Sequence, residues 1–330
     1  MKAAGGVSVF LVPPLTPPEG ERCSIDVHLL ADFRLVENAA QHPDGPHRRV
    51  DDPGQADVIL FVGSRDPWNR DVRCHPLARR FPRKVILYSS QDRILPLLRG
   101  IYPGLPQNQT HPRRTRSGHY LRWSNQPDIE LTDPWLTPTH LFGFAGDSGN
   151  HPLRHRLLQL EHPRALMRDT HHDPARGFGQ APEVYARYRK RYAQELSAVR
   201  FVLCPRGVAP NSMRIFEAMK AGRVPVVLAD QWVPAPGPSW ETFMLRVPEA
   251  HLAQLPMILE DKEDRAAAMG MAARSAWEQW FAPEVSFQVL AGSAADLVAA
   301  PWRWEGLERF LLRRHLLAPA WRKILRRLHR

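Results

Sequence analysis

The stretch between Arg200 and Leu228 constrains the fold of this chain most, because it has the pattern of a βαβ unit. An apolar run at residues 200–204 leads into a Pro-Arg-Gly loop, and a helix pattern then begins at Asn211 and Ser212 and extends to about Ala221. Gly222 ends that helix, and a second apolar run follows at residues 224–228. Two buried strands joined by a helix predict a parallel sheet and the α/β class.

Further apolar runs at residues 7–12, 58–62 and 85–88 have the length and composition of buried strands. The last two are each followed by a polar loop, one ending at Asp66 and the other at Asp92. In open α/β sheets, loops at the carboxyl ends of strands line the ligand crevice. We therefore expect both loops to face a binding site.

The second half opens with another strand pattern at residues 140–145, and helix patterns follow at 154–160 and 182–196. A chain of 330 residues with 43% hydrophobic content can bury two cores. We predict an N-terminal domain over residues 1–139, a C-terminal domain over 140–300, and a separate tail over 301–330.

The net charge of +11 is concentrated in that tail. Residues 301–330 hold two acidic residues and nine basic ones, a net charge of +7. The basic residues are Arg303, Arg309, Arg313, Arg314, Arg322, Lys323, Arg326, Arg327 and Arg330. The net charge and the ten tryptophans raise the alternative of a nucleic-acid-binding protein. The concentration of charge in the tail, without a recognised nucleic-acid motif, disfavours that alternative.

The βαβ unit predicts an anion site. The first amides of its helix, near Asn211 and Ser212, carry partial positive charge and suit a phosphate. Arg206 lies in the same loop, Arg214 in the first helical turn, and Glu217 three residues later on the same helical face. Arginine forks suit a diphosphate, and a carboxylate suits ribose hydroxyls. The alternative is that Arg214 and Glu217 form a surface ion pair while Arg206 caps a loop.

The order of residues resembles exostosin-like glycosyltransferases. The resemblance is carried by the segments Phe201-Val-Leu-Cys-Pro-Arg-Gly207, Asn211-Ser-Met-Arg-Ile-Phe-Glu-Ala218, Ala221-Gly-Arg-Val-Pro-Val-Val227, Asp230 with Trp232, Trp240-Glu-Thr-Phe243 and Val247-Pro-Glu249. The 140–146 strand pattern and Arg154 resemble the opening of the family's donor domain. The N-terminal half resembles the family only loosely, around residues 88–106.

The resemblance implies a GT-B architecture, with two Rossmann-like domains facing a central cleft and the nucleotide sugar held by the C-terminal one. By position, Arg206 and Arg214 would hold the diphosphate and Glu217 the ribose, with Gly207, Asn211, Ser212 and Asp230 in the same donor-binding set. The implied function is an inverting transfer of a sugar to a hydroxyl of a glycan or lipid-linked acceptor, in cell-surface polysaccharide synthesis. The arginines would stabilise the leaving diphosphate.

Two sequence features agree with an inverting enzyme that needs no metal. No Asp-x-Asp motif occurs, which is the usual metal-holding signature of the other large glycosyltransferase architecture. Retaining GT-B enzymes commonly carry a second Glu eight residues before the ribose-binding one, and Ala209 occupies that position here. We therefore expect no metal and no other cofactor.

An inverting transfer needs a base to deprotonate the acceptor hydroxyl. Asp92 is the first candidate because it follows a buried strand, Asp66 in the matching loop is second, and His119 is third. The alternative for each is a loop cap or turn residue. In this architecture the base comes from the N-terminal domain, where the resemblance is loose.

The tail has the pattern of a basic amphipathic helix, with Leu317, Trp321, Ile324, Leu325 and Leu328 at helical spacing. Such a helix can lie on an anionic membrane surface, or it can pack back on the N-terminal domain with its arginines solvated. The apolar run at residues 7–12 is shorter than a signal-peptide core. We expect a cytoplasmic enzyme, with peripheral attachment to the inner face of the membrane as one alternative. An alternative to the enzymatic function, on the same fold, is a sensor that binds a sugar nucleotide without catalysing transfer.

Overall fold

The computed structural model describes residues 5–300 except 43, 94, 123–124, 132–137 and 177–179. The chain divides into two compact units, one made of the described parts of Met1–Gly118 and Phe287–Arg330 and the other of His119–Ser286. The predicted tail at residues 301–330 lies outside the described residues.

This division differs from the predicted boundary between residues 139 and 140. Ile129 packs in the core of the second unit, and the His119 ring lies 5.6 Å from the Phe216 ring of that unit. At the other end, Gln288 exchanges hydrogen bonds of 3.1 and 2.9 Å with the backbone of His47, which ties the last helix to the first unit. Sequence patterns locate elements, whereas these packing contacts between distant residues decide which core an element joins.

The first unit is a parallel α/β sheet. Its strands are β1 (Ser8–Val12), β2 (Arg48–Arg49), β3 (Val58–Val62), β4 (Val85–Tyr88), β5 (Gly100–Ile101) and β6 (Thr115–Arg116). Its helices are α1 (Ser24–Ala39), α2 (Arg70–Arg73) and α3 (Pro76–Arg80), and the helix at Ser286–Ala299 returns to it. The strand order is β2-β1-β3-β4-β5-β6, with every pair parallel.

The second unit is another parallel α/β sheet. Its strands are β7 (His140–Gly146), β8 (Ala165–Asp169), β9 (Val199–Pro205), β10 (Val224–Leu228) and β11 (Leu245–Arg246). Its helices are α4 (Pro152–Leu158), α5 (Pro182–Ser197), α6 (Met213–Lys220), α7 (Leu255–Glu260) and α8 (Ala266–Trp280), so the helix at Ser286–Ala299 is α9. The strand order is β11-β10-β9-β7-β8, again with parallel pairs.

Both central sheets are built from continuous apolar strands. All residues of β3, β4 and β10 are buried, as expected for parallel strands covered on both faces. In the second unit, α6 buries Ile215 and Phe216 in the core and ends at Lys220. Gly222 follows the end of the helix, and its φ of +69° is the left-handed conformation that favours glycine. The predicted βαβ unit is therefore confirmed.

The two sheets share one topology, in which the chain order reverses next to the first strand of each unit. The reversal lies between β1 and β3 in the first unit and between β7 and β9 in the second. Ligands of open α/β sheets bind at this switch point, outside the carboxyl ends of the two strands. The predicted α/β class, with two Rossmann-like parallel sheets as in a GT-B architecture, is confirmed.

No helix within the described part of the chain is long and apolar enough to cross a membrane.

Candidate functional site

The predicted donor-binding residues lie at the switch point of the second unit. Arg206 and Gly207 directly follow β9, and the loop after β7 begins at Asp147. Arg154 joins these two loops, since its Nε donates to Arg206 O at 2.9 Å and its Nη1 to Asp147 O at 3.2 Å. The carboxyl ends of β7 and β9 are thus held together by one buried guanidinium.

Arg154 also explains why residue 207 is glycine. A Cβ at Gly207 would lie 2.9 Å from Arg154 Nη2, which is closer than real Cβ contacts come. Arg154 is 6% exposed, and its guanidinium lies 5.7 Å from the centroid of the Phe144 ring. The family resemblance included Arg154, but only the structure shows that it fixes the loop that carries Arg206.

Arg206 has the geometry of a binding residue with unused hydrogen-bonding capacity. Its backbone amide donates to Leu228 O at 3.1 Å and so continues the β9 to β10 ladder. Its Nη1 lies 4.0 Å from Glu249 Oε1, at the limit of an ion pair. Its Nε is buried and has no hydrogen-bond partner among the described residues. Buried guanidinium nitrogens are normally paired, so this donor is available for an anion.

Asn211 and Ser212 form the entry to α6, with one deviation from the prediction. Ser212 occupies the N-cap position, but its hydroxyl makes no capping hydrogen bond. Ser212 is 5% exposed, and its Oγ has no partner within the described residues. Asn211 Oδ1 instead accepts from the Ser212 amide at 2.9 Å and from Trp232 Nε1 at 3.1 Å. The first turn of α6 therefore offers a buried hydroxyl beside its amides.

Arg214 extends from α6 to the end of β7. Its Nε and Nη2 both donate to Ala145 O, at 3.0 and 2.6 Å. The guanidinium lies 4.9 Å from the centroid of the Phe144 ring and 5.9 Å from that of Tyr192. Arg214 makes no ion pair with Glu217 in the described structure, so the surface-pair alternative is not what the fold forms.

Glu217 is a buried carboxyl held by a tyrosine of α5. It is 3% exposed, and its Oε2 accepts a hydrogen bond of 2.6 Å from the Tyr192 hydroxyl. Burial raises the pKa of Glu217 above its usual range. A buried carboxyl with a raised pKa, one turn after Arg214 on the same helix, is the kind of group that functional sites retain. Sequence reasoning missed Tyr192 as its partner because the two residues lie on different helices.

Asp230 lies at the carboxyl end of β10 and is tied to Glu249. The Asp230 amide donates to Glu249 Oε1 at 3.2 Å, and the Glu249 amide donates to Asp230 Oδ1 at 3.1 Å. Since Glu249 also approaches Arg206, this pair links the loop after β10 to the loop after β9. Glu249 belonged to the resembling segment without being predicted as a site residue.

A further polar cluster follows β7 and β8 at the same edge of the sheet. Asp147 Oδ1 lies 2.6 Å from His171 Nδ1, and Asp147 Oδ2 lies 2.8 Å from Arg176 Nη1. Although burial alone would raise the pKa of Asp147, hydrogen bonds from His171 and Gly149 and the nearby Arg176 lower it. The polar loop after β7 was visible in the sequence, but its pairing with a loop about twenty residues later was not.

Two of the candidate bases lie in the first unit. Asp66 follows β3 at the switch point, and its carboxylate accepts hydrogen bonds of 3.0 and 2.8 Å from the amides of Trp68 and Arg70. This is the bonding of a loop cap. Asp92 is exposed in the loop after β4, where the neighbouring Gln91 side chain donates to Ser64 O. The structure thus brings the two loops together, and Asp92 is the more accessible of the two carboxylates.

His119 lies in the second unit, in a different environment from the two aspartates. It is 2% exposed, and its ring lies 5.6 and 5.2 Å from the rings of Phe216 and Phe281. Burial lowers the pKa of His119 to about 3, so the imidazole is neutral at physiological pH. These surroundings suit a core histidine.

The segment that contains these residues is similar to a known domain. A model of the exostosin GT47 domain matches residues 137–262. The matched segment contains β7 to β10 and every predicted donor-binding residue, and the predicted resemblance to exostosin-like glycosyltransferases is confirmed.

Two relatives from Oryza sativa subsp. japonica are each described as a probable glucuronosyltransferase. The first is 30% identical over 156 residues, which are 40% of this chain and 35% of the relative. The second is 39% identical over 79 residues, which are 23% of this chain and 17% of the relative. The chain matches about a third or less of the length of these relatives.

Three similar solved structures each cover most of this chain at low sequence identity. WaaG, a glycosyltransferase involved in lipopolysaccharide biosynthesis, is 12% identical with a TM-score of 0.37, covering 89% of this chain and all of that one. MurG of Acinetobacter baumannii is 12% identical with a TM-score of 0.36, covering 88% of this chain and 99% of that one. A DNA-modifying β-glucosyltransferase is 12% identical with a TM-score of 0.40, covering 88% of this chain and all of that one.

Across the described residues, no group of three or more His, Cys, Asp or Glu side chains could hold a metal ion.

Proposed function

We propose that this protein is an inverting glycosyltransferase that moves a sugar from a nucleotide-diphosphate sugar to an acceptor hydroxyl. The exostosin GT47 domain and the glucuronosyltransferase relatives support this class of activity. The acceptor is a hydroxyl of a glycan or lipid-linked oligosaccharide used for cell-surface polysaccharide. The reaction takes place in the cytoplasm, where the tail at residues 301–330 attaches the enzyme to the inner face of the membrane.

The observation that carries the proposal is the pair of buried donors without partners at the switch point of the second unit. Arg206 Nε and Ser212 Oγ lie in the loop that joins β9 to α6, and neither finds an acceptor among the described residues. Leaving a buried donor unsatisfied costs about 1–3 kcal/mol, so proteins rarely keep two such groups in one loop without a ligand. A diphosphate supplies acceptors for both and is also stabilised by the first amides of α6.

The remaining donor-binding residues have complementary tasks. Arg214, fixed between Ala145 O and the Phe144 ring, adds positive charge beside the loop. Arg206 and Arg214 together stabilise the charge that develops on the diphosphate as the glycosidic bond breaks. Glu217 accepts hydrogen bonds from the ribose hydroxyls. Gly207 and Asn211 maintain the shape of the loop, and Asp230 with Glu249 sets its outer side.

The base belongs to the first unit. Asp92 deprotonates the acceptor hydroxyl, because Asp92 is exposed in the loop that follows β4, whereas Asp66 is half-buried in the loop that follows β3. Proton removal makes the acceptor oxygen a stronger nucleophile as it attacks the anomeric carbon from the face opposite the leaving diphosphate, and that direction of attack inverts the configuration.

Binding measurements with matched variants test the donor site. We expect a nucleoside diphosphate or nucleotide sugar, from a panel that includes nucleotide-linked glucuronate, to raise the melting temperature of the wild type. Arg206→Ala should lose at least about tenfold in affinity, equivalent to about 1.4 kcal/mol. Arg187→Ala, which removes an exposed arginine of α5, is the matched control and should bind normally.

Ser212→Ala separates binding from folding. Because the Ser212 hydroxyl has no partner in the described structure, its removal should leave the melting temperature of the free protein unchanged or slightly raised while weakening nucleotide binding. The absence of stabilisation by any nucleotide, or an undiminished response in Arg206→Ala, would overturn the donor site. Nucleotide binding without turnover of any sugar donor would favour a sensor over an enzyme.

A further inference from the structure

Tyr192 connects α5 to the carboxyl group of Glu217 on α6. Its hydroxyl donates a 2.6 Å hydrogen bond to Glu217 Oε2, although the two residues are 25 positions apart in the chain. The Tyr192 ring packs in the core of the second unit and lies 5.9 Å from the Arg214 guanidinium. A short bond to a buried acceptor, from a ring that is itself packed, leaves the carboxyl little freedom to rotate.

The other oxygen of the same carboxyl is uncommitted. In the part of the chain that the structure describes, Glu217 makes no ion pair, and its side chain accepts one hydrogen bond, at Oε2, which leaves Oε1 without a donor. A carboxylate can accept hydrogen bonds at both oxygens, so fixing one of them determines where the other points. The arrangement therefore presents one oriented acceptor in the middle of α6, one turn after Arg214 on the same helix.

We propose that Tyr192 is a positioning residue, which orients Glu217 so that the site distinguishes ribonucleotides from 2′-deoxyribonucleotides. This inference rests on the proposed function, because it assigns a specificity to the same nucleotide site. Tyr192 itself does not touch the ligand. A site built to accept a hydrogen bond from a hydroxyl binds an analogue without that hydroxyl much more weakly, since its buried acceptor is then left unpaired.

Loss of the Tyr192 hydroxyl should change recognition of the ribose and leave diphosphate binding unchanged. Diphosphate binding depends on Arg206, Arg214, Ser212 and the first amides of α6. Arg214 contacts the Tyr192 ring and not its hydroxyl, at 5.9 Å from the ring centroid, and phenylalanine keeps that ring. Removing the Tyr192 hydroxyl leaves its ring in place but lets the Glu217 carboxyl rotate. Discrimination between the two sugars should therefore decrease while affinity for the diphosphate group stays the same.

The test compares the affinities of UDP, GDP, ADP and CDP, each with its 2′-deoxy counterpart, and that of inorganic pyrophosphate. The wild type should prefer the ribo form of its best nucleotide by about tenfold or more, as expected for one lost hydrogen bond to a charged group. Tyr192→Phe should bring that ratio close to one through weaker binding of the ribo form, with pyrophosphate affinity unchanged. Glu217→Gln should reduce the ratio as well.

Tyr188→Phe is the matched control. Tyr188 lies on the same helix one turn earlier, and its ring contacts the Arg168 guanidinium at 5.5 Å, a contact that phenylalanine keeps. It should retain the full ribose preference. An undiminished preference in Tyr192→Phe, or a wild type that binds nucleotides without any preference, would overturn the inference while leaving the nucleotide site intact. Failure of both nucleotides and pyrophosphate to bind would instead overturn the proposed function.

Discussion

Replacement of Arg154 by methionine tests whether one guanidinium holds the two loops of the candidate site together. Arg154 Nε and Nη1 donate to Arg206 O and Asp147 O at 2.9 and 3.2 Å, and a third contact, from Nη2 to Pro205 O, is longer at 3.4 Å. Hydrogen bonds to a charged group each contribute about 1.5–3 kcal/mol, so losing the two shorter ones should cost at least about 3 kcal/mol. Methionine keeps an unbranched apolar side chain in the buried position but removes the guanidinium, which also lies 5.7 Å from the centroid of the Phe144 ring.

For a domain the size of His119–Ser286, 1 kcal/mol corresponds to about 2–4 °C in melting temperature. Arg154→Met should therefore melt about 6–12 °C below the wild type, and its affinity for a nucleoside diphosphate should fall because the loop carrying Arg206 is no longer fixed. Thermal unfolding with and without nucleotide measures both effects. Arg156→Met, on the exposed face of the same helix, is the matched control and should behave like the wild type. If the two variants melted within about 2 °C of each other, the reasoning would be refuted.

Three further predictions concern Glu217 and the candidate bases. Burial raises the pKa of Glu217, so the folded protein holds that proton more tightly than the unfolded chain, and the stability this provides is lost as the pH rises through the folded pKa. Glu217→Gln should thus be more stable than the wild type at pH 8, with the difference shrinking toward about pH 4.3 in pH-dependent denaturant unfolding; a difference independent of pH would contradict this. Asp92→Asn should lower kcat by about 100-fold or more with nucleotide affinity retained. Asp66→Asn should mainly lower the melting temperature, because it weakens the acceptor of two amides. If sugar-transfer assays instead showed the large loss of kcat in Asp66→Asn and not in Asp92→Asn, Asp66 would be the base.

The central strands could be predicted from the sequence nearly to the residue. The predicted strands at 58–62, 85–88 and 224–228 coincide with β3, β4 and β10. A strand buried on both faces needs an unbroken apolar run. Because this requirement involves only consecutive residues, it can be recognised from the sequence alone. The same holds for α6, since the loop before it and Gly222 after it are local signals.

The division of the chain into units was harder to predict from sequence patterns. Residues between 119 and 139 have little periodicity, so no local pattern assigns them to either half. Their place in the second unit depends on packing such as that of the His119 ring against Phe216 and Phe281. The return of α9 to the first unit likewise depends on residues far apart, as in the hydrogen bonds between Gln288 and His47.

For the site, the sequence by itself determined which residues stand around α6 and in which order, because a βαβ unit places Arg206, Ser212 and Arg214 at one helix entrance. It could not decide what each of them contacts. Arg214 and Glu217 are near neighbours on one helix, yet the fold directs Arg214 to Ala145 O, 69 positions away, and Glu217 to Tyr192. Hydrogen-bond partners of buried groups are set by the elements that pack around them, and only the tertiary structure brings those elements together.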